Sequence, residues 1–143
     1  MLFRSYAWSA STTGGNPVSC AAALATLDLL LQPGVHGALH TLGRRFRTGM
    51  ESVLRSAGES AQILGDGPLG QVAFSATPVT DQASWLASDR ARGGRLMLEL
   101  LSRGIFLNPM GTKLYLSLEH SEPELERFLE IFADALPATV APR

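Results

Sequence analysis

Ser11-Thr12-Thr13-Gly14-Gly15-Asn16-Pro17 holds the residue types that could seat an anion. Hydroxyl side chains are followed by two glycines and then by a helix start. Asn16 is a good N-cap, because its side-chain oxygen can accept a backbone N–H of the first turn. Pro17 suits the first helical position, where no N–H is needed. Gly14 and Gly15 can adopt left-handed dihedrals and leave backbone donors uncovered. A helix start carries partial positive charge, so Thr12 and Thr13 hydroxyls beside it would suit a phosphate. An ordinary capped helix uses the same residues, and local chemistry alone does not separate the two. Elsewhere the chemistry is sparse. Lys113 is the sole lysine and Cys20 the sole cysteine. His36 and His40 share a helix face without a third metal ligand nearby, which favours surface histidines. Asn108 and Met110 sit in a turn, Asn108-Pro109-Met110-Gly111-Thr112, that offers weak candidates for a substrate contact.

The elements that must position these residues follow from periodicity. Val18 to Gln32 is predicted as a helix apolar on every side, with Asp28 its only charge. Such a helix is expected to be buried all round. Each fully exposed leucine forgoes roughly 1.5–3 kcal/mol of burial. The helix therefore implies a second body against it, another domain or another subunit. Pro33-Gly34 breaks the chain. Val35 to Ala57 is predicted as a second helix on the stripe Val35, Leu39, Leu42, Phe46, Met50, Val53 and Leu54, closed by Gly58. Its arginines read as a solvated face, with Arg47 and Glu51 four apart and able to pair. Ala61–Leu64 and Gln71–Ser75 are predicted strands around a Gly/Pro-rich turn. Asp81 is expected to cap a short helix over 82–87, and Ser88 the next, running to Arg103 and closed by Gly104. Trp85 reads as core packing. Ile105–Leu107 is expected to be a buried strand and Lys113–Leu118 another. Ser121 and Glu124 form a capping box for a last helix that ends at Pro137. Residues 138–143 are expected to be a mobile tail. Strand pairs separated by helices predict an α+β fold, helices packed on a mainly antiparallel sheet.

At 143 residues the chain can build one hydrophobic core. A formal net charge of −1 argues against a nucleic-acid surface. One cysteine rules out an internal disulfide, and Cys20 reads as a small hydrophobe. Arg4 and Ser5 interrupt the first apolar residues, unlike a signal peptide. No apolar stretch reaches the ~20 residues of a membrane span. These features predict a soluble, cytoplasmic protein with no membrane or nucleic-acid partner.

The anion-seat segment resembles the GTLSGNP-type segment of class III pyridoxal-phosphate (PLP) aminotransferases, the glutamate-1-semialdehyde aminotransferase group above all. The similarity continues from Pro17 through Leu30 and returns at Leu101–Leu107 and Leu114–Ser121, in the family's order. The family's Ser-Gly is replaced by Gly14-Gly15, and a Gly-Ser-Met-type segment by Leu69-Gly70-Gln71. The resemblance implies the C-terminal small domain of fold-type I PLP enzymes. It divides the chain into a remnant of the large cofactor domain (1–17), a long interdomain helix (18–32) and a small C-terminal domain (33–137). It implies that Thr12 contacts the PLP phosphate of a neighbouring subunit, with Thr13 a second donor on chemistry alone. The implied partners are a homodimer mate or a complementing large-domain fragment, and a small amino or carbonyl substrate. Transamination also needs a Schiff-base lysine and a carboxylate for the pyridinium nitrogen. In the family both precede the Thr12 segment, and Lys113 does not match the lysine. This chain alone is therefore expected to be inactive. The alternative reading is a non-catalytic α+β module for dimerisation or small-molecule binding.

Overall fold

The computed structural model describes residues 14–107 and 113–140. The chain divides into two compact units, residues 1–36 and 37–143. In the first, helix α1 spans Pro17–Leu30. Its start is built as the residue types dictate. The Asn16 side chain accepts from Val18 N–H at 2.9 Å and Ser19 N–H at 3.3 Å, and Pro17 follows the cap. None of its residues is buried, and Val18 is 77% exposed. Its apolar sequence is thus not matched by burial in this chain.

The second unit takes up helix α2 (Val35–Ser56) and continues as β1 (Ala61–Leu64), β2 (Leu69–Phe74), α3 (Gln82–Ala87), α4 (Arg90–Ser102), β3 (Lys113–Tyr115) and α5 (Glu122–Ala135). The three strands form an antiparallel sheet in the order β1-β2-β3. Ile63 pairs with Val72, and Gly70 with Leu114. Alternation therefore places Ala61, Ile63, Gly70, Val72, Phe74 and Leu114 on one face. That face carries the core. Phe46, Met50 and Leu54 of α2, Leu96 and Leu100 of α4, and Leu125, Phe128 and Phe132 of α5 pack with Val72, Phe74 and Leu114. Gly70 is small for a reason: a Cβ there would meet the Met50 methyl at 3.1 Å and the Phe46 ring at 3.4 Å. Phe46 and Phe128 meet at 4.8 Å between ring centroids, tilted by 53°. This is the expected α+β architecture of helices on an antiparallel sheet, with three strands rather than four among the described residues.

The missing strand has a definite cause. Gly104 takes a left-handed φ of +85° and ends α4. Gly104 N–H donates to Leu101 O and Ile105 N–H to Leu100 O, the Schellman pattern. Ile105 thus spends its donor on the helix end, while Phe106 is 82% exposed. Residues 105–107 are not a strand, and the apolar triplet serves the cap and its packing. The same pattern closes α2 at Gly58, with Glu59 N–H donating to Leu54 O.

Three other expectations are corrected. The carboxylate of Asp89, not Ser88, caps α4, accepting from Arg92 N–H at 2.8 Å. Ser88 instead donates its hydroxyl to Trp85 O and finishes α3. Strand β3 stops at Tyr115, because Ser117 N–H turns to His120 Nδ1 at 2.9 Å. Arg47 does not pair with Glu51. It reaches the β1–β2 turn, donating to Gly67 O and to Leu69 O.

The packed chain also continues past Pro137. Leu136–Thr139 forms a 3₁₀ turn whose Leu136 and Thr139 are buried. Arg92 holds it. Its guanidinium donates to Thr139 Oγ1 at 2.9 Å and makes two hydrogen bonds with the Glu59 carboxylate, at 2.7 and 2.6 Å. It also lies over the Phe74 ring, 4.3 Å from the centroid. Arg95 adds a bond to Thr139 O at 2.7 Å.

Candidate functional site

The expected anion seat begins at the start of α1. Gly15 adopts φ +77°, so the left-handed turn that two glycines permit is used. The first-turn donors are not left for a ligand. Asn16 Oδ1 takes the N–H groups of Val18 and Ser19, Cys20 N–H goes to Asn16 O, and Pro17 has none. The helix still presents its positive end there. Any phosphate must therefore find its hydrogen-bond donors before Asn16, which is where the hydroxyls of Thr12 and Thr13 stand. Both threonines lie outside the described residues, as do the loop candidates Asn108 and Met110.

The second unit carries a groove of about 520 Å³. Its walls come from β2, from α4 through Gly93, Gly94, Met97 and Leu101, and from Trp85, Phe106 and Lys113. The volume falls within the range of small-molecule pockets, roughly 300–1,000 Å³. Gly94 leaves open space where a side chain would stand. Trp85 is half-buried and lines this groove, rather than filling the core as expected from sequence. Lys113 is exposed on β3, opposite Gln71. Sequence periodicity places each of these residues on its element but not around a shared hollow. Among the described residues no His, Cys, Asp and Glu side chains gather in threes for a metal.

Two carboxylates are perturbed, both at helix starts. Hydrogen bonds from Ser84, backbone first and then hydroxyl, hold the Asp81 carboxyl below its ordinary value of 3.8. The Ser121 backbone N–H, then its hydroxyl, does the same for Glu124, whose ordinary value is 4.5. Both groups serve caps, and neither faces a hollow suited to acid–base chemistry.

No protein-family model matches the chain. Individual proteins do. Glutamate-1-semialdehyde 2,1-aminomutase of Desulforudis audaxviator is 36% identical over 129 residues, which cover 90% of this chain and 30% of the relative. The enzyme of the same name from Thermomicrobium roseum is 35% identical over 130 residues, with the same coverage. An omega-transaminase from Sphaerobacter thermophilus superposes with a TM-score of 0.75 at 34% identity, over 93% of this chain and 30% of that one. The chain corresponds to a C-terminal part of the class III aminotransferase family. It spans 30% of the length of those curated relatives. The α+β unit matches the C-terminal domain of class III aminotransferases. A glutamate-1-semialdehyde aminomutase from Pseudomonas aeruginosa shares that fold with a TM-score of 0.78 at 16% identity.

Proposed function

We propose that this chain provides the C-terminal domain and one phosphate contact of a PLP-dependent aminotransferase. The reaction class is transfer of an amino group between an amino compound and a carbonyl acceptor, including the intramolecular transfer of an aminomutase. The observation that carries this reading is 36% identity to an aminomutase across 90% of the chain. When bound, PLP supplies the electron sink for breaking bonds at the amino-bearing carbon. The residues fit the cofactor's phosphate end. The α1 cap directs a helix N-terminus at the segment holding Thr12 and Thr13, while Asn16 leaves the hydrogen bonding to residues before it. Thr12 donates its hydroxyl to a phosphate oxygen, and a charge-assisted bond of this kind contributes roughly 1.5–3 kcal/mol. Thr13 is the second donor. Asn108 and Met110 border the substrate. The cofactor-bonding lysine comes from a large-domain segment, in a homodimer mate or a complementing fragment, and the chain alone does not transaminate. Exposure along all of α1 supports such a partner.

The test mixes the purified chain with PLP and follows visible absorbance and amino transfer. The expected result is neither signal from the chain alone, and tighter PLP binding once a large-domain segment is added. Thr12→Val should weaken that binding about tenfold or more. A covalent cofactor band in the chain alone, abolished by Lys113→Ala, would overturn the reading. A PLP-indifferent monomer that also ignores the large-domain segment would support the non-catalytic module instead.

A further inference from the structure

The helical unit is strongly two-sided. Its outer helix surfaces are charged: Arg44, Arg45, Glu51 and Arg55 on α2, and Glu126, Glu130 and Asp134 on α5, are all exposed. The sheet face away from the core departs from the polar pattern of a solvated antiparallel sheet. The register puts Leu64, Leu69 and Tyr115 on it, and Tyr115 is 50% exposed. At its edge the groove joins this face to a second apolar set, Leu98, Leu101 and Phe106, with Leu98 67% exposed. Scattered apolar residues need no explanation, but a contiguous exposed set opposite two charged surfaces marks an interaction site.

We propose that this face, running from Leu69 and Tyr115 across the groove to Leu98 and Phe106, is the seat of the large-domain portion of an aminotransferase polypeptide. The inference rests on the function proposed above and adds the surface. The occupant is chosen by length: the curated relatives carry 70% of their residues beyond the part matched here, and that part must lie against something. A small ligand would cover only the groove and leave Leu69 and Tyr115 wet. The charged α2 and α5 surfaces offer a large apolar partner nothing to bury.

The experiment captures the portion of the Desulforudis audaxviator aminomutase outside the 129 matched residues, using this full chain as bait. Four baits are compared: wild type, Leu98→Glu/Phe106→Glu, Tyr115→Thr, and the control Arg55→Glu. All substituted side chains are exposed, and circular dichroism checks that each bait folds. The expected result is capture by wild type and by Arg55→Glu, a loss of at least tenfold for Leu98→Glu/Phe106→Glu, and a loss of at least threefold for Tyr115→Thr. Capture unchanged by these face variants, or no capture by wild type, overturns the inference. So does self-association of the bait that the face variants abolish, since the occupant is then a second copy. PLP binding by the captured complex is read separately. Its failure with face-dependent capture counts against the proposed function and leaves the surface assigned.

Discussion

Replacing Glu59 tests the polar centre that ties the C-terminal turn to the sheet. Arg92 there makes two hydrogen bonds to Glu59, one to Thr139 and a cation–π contact with Phe74. The two side chains of the pair are 16% and 17% exposed. Exposed ion pairs contribute about 0–1 kcal/mol, and breaking a fully buried one costs about 3–5 kcal/mol. Most of the area of this pair is out of water and its geometry is bidentate, so a coupling near 2 kcal/mol is expected. Glu59→Gln keeps the shape and removes the charge. Arg92→Met keeps the stem over Phe74 and removes the donors. The double-mutant cycle separates their coupling from general packing effects. In urea, with a slope of about 2 kcal/mol/M, each single variant should lower the midpoint by about 1 M. The double variant should fall little further than Arg92→Met alone. A measured coupling below about 0.5 kcal/mol would refute the reasoning and show the pair to act as a surface contact.

Two further outcomes follow from the same geometry. Gly43 of α2 lies against the backbone of Gly67 and Pro68, so Gly43→Ala should cost at least ~1–3 kcal/mol by forcing helix and turn apart, read as a drop in Tm, whereas Gly94→Ala, with open space around it, should not destabilise. Asp81 and Glu124 have folded values below 3.8 and 4.5, so their contribution is present above those values and fades as pH falls through the depressed ones. Acid unfolding below about pH 4 should be flatter in Asp81→Asn/Glu124→Gln than in the parent chain.

The parts legible in the sequence are those governed by short-range rules. Asn16-Pro17 starts α1, the Gly58 and Gly104 positions close α2 and α4, and the heptad-like stripe Leu39, Phe46, Met50, Leu54 marks the buried face of α2. Ser121 and Glu124 meet at the start of α5. Errors arose where one residue had two compatible uses. Ile105 suits a strand or a helix closure, and the Schellman bond took it. Ser88 and Asp89 can each cap, and the carboxylate did so. Pairings that depend on distant chain segments left no periodic trace. Arg92 finds Glu59 and Thr139 at sequence separations of 33 and 47 residues, and Arg47 finds the hairpin turn rather than its helix neighbour. The candidate site divides the same way. Family motifs singled out Thr12 and the Asn108–Thr112 loop. The groove, assembled from β2, α4 and Phe106, required the three-dimensional arrangement.

Thr139 has a practical bearing on how this chain is cut and joined. A fusion or tag attached straight after Pro137 would replace the hydroxyl and carbonyl that receive Arg92 and Arg95. Two guanidinium groups would then lose their acceptors at once, and the strain would be felt at Glu59 and Phe74 on the sheet. Attachment beyond Val140 keeps that knot tied, so three residues of placement separate a silent handle from one that loosens the core.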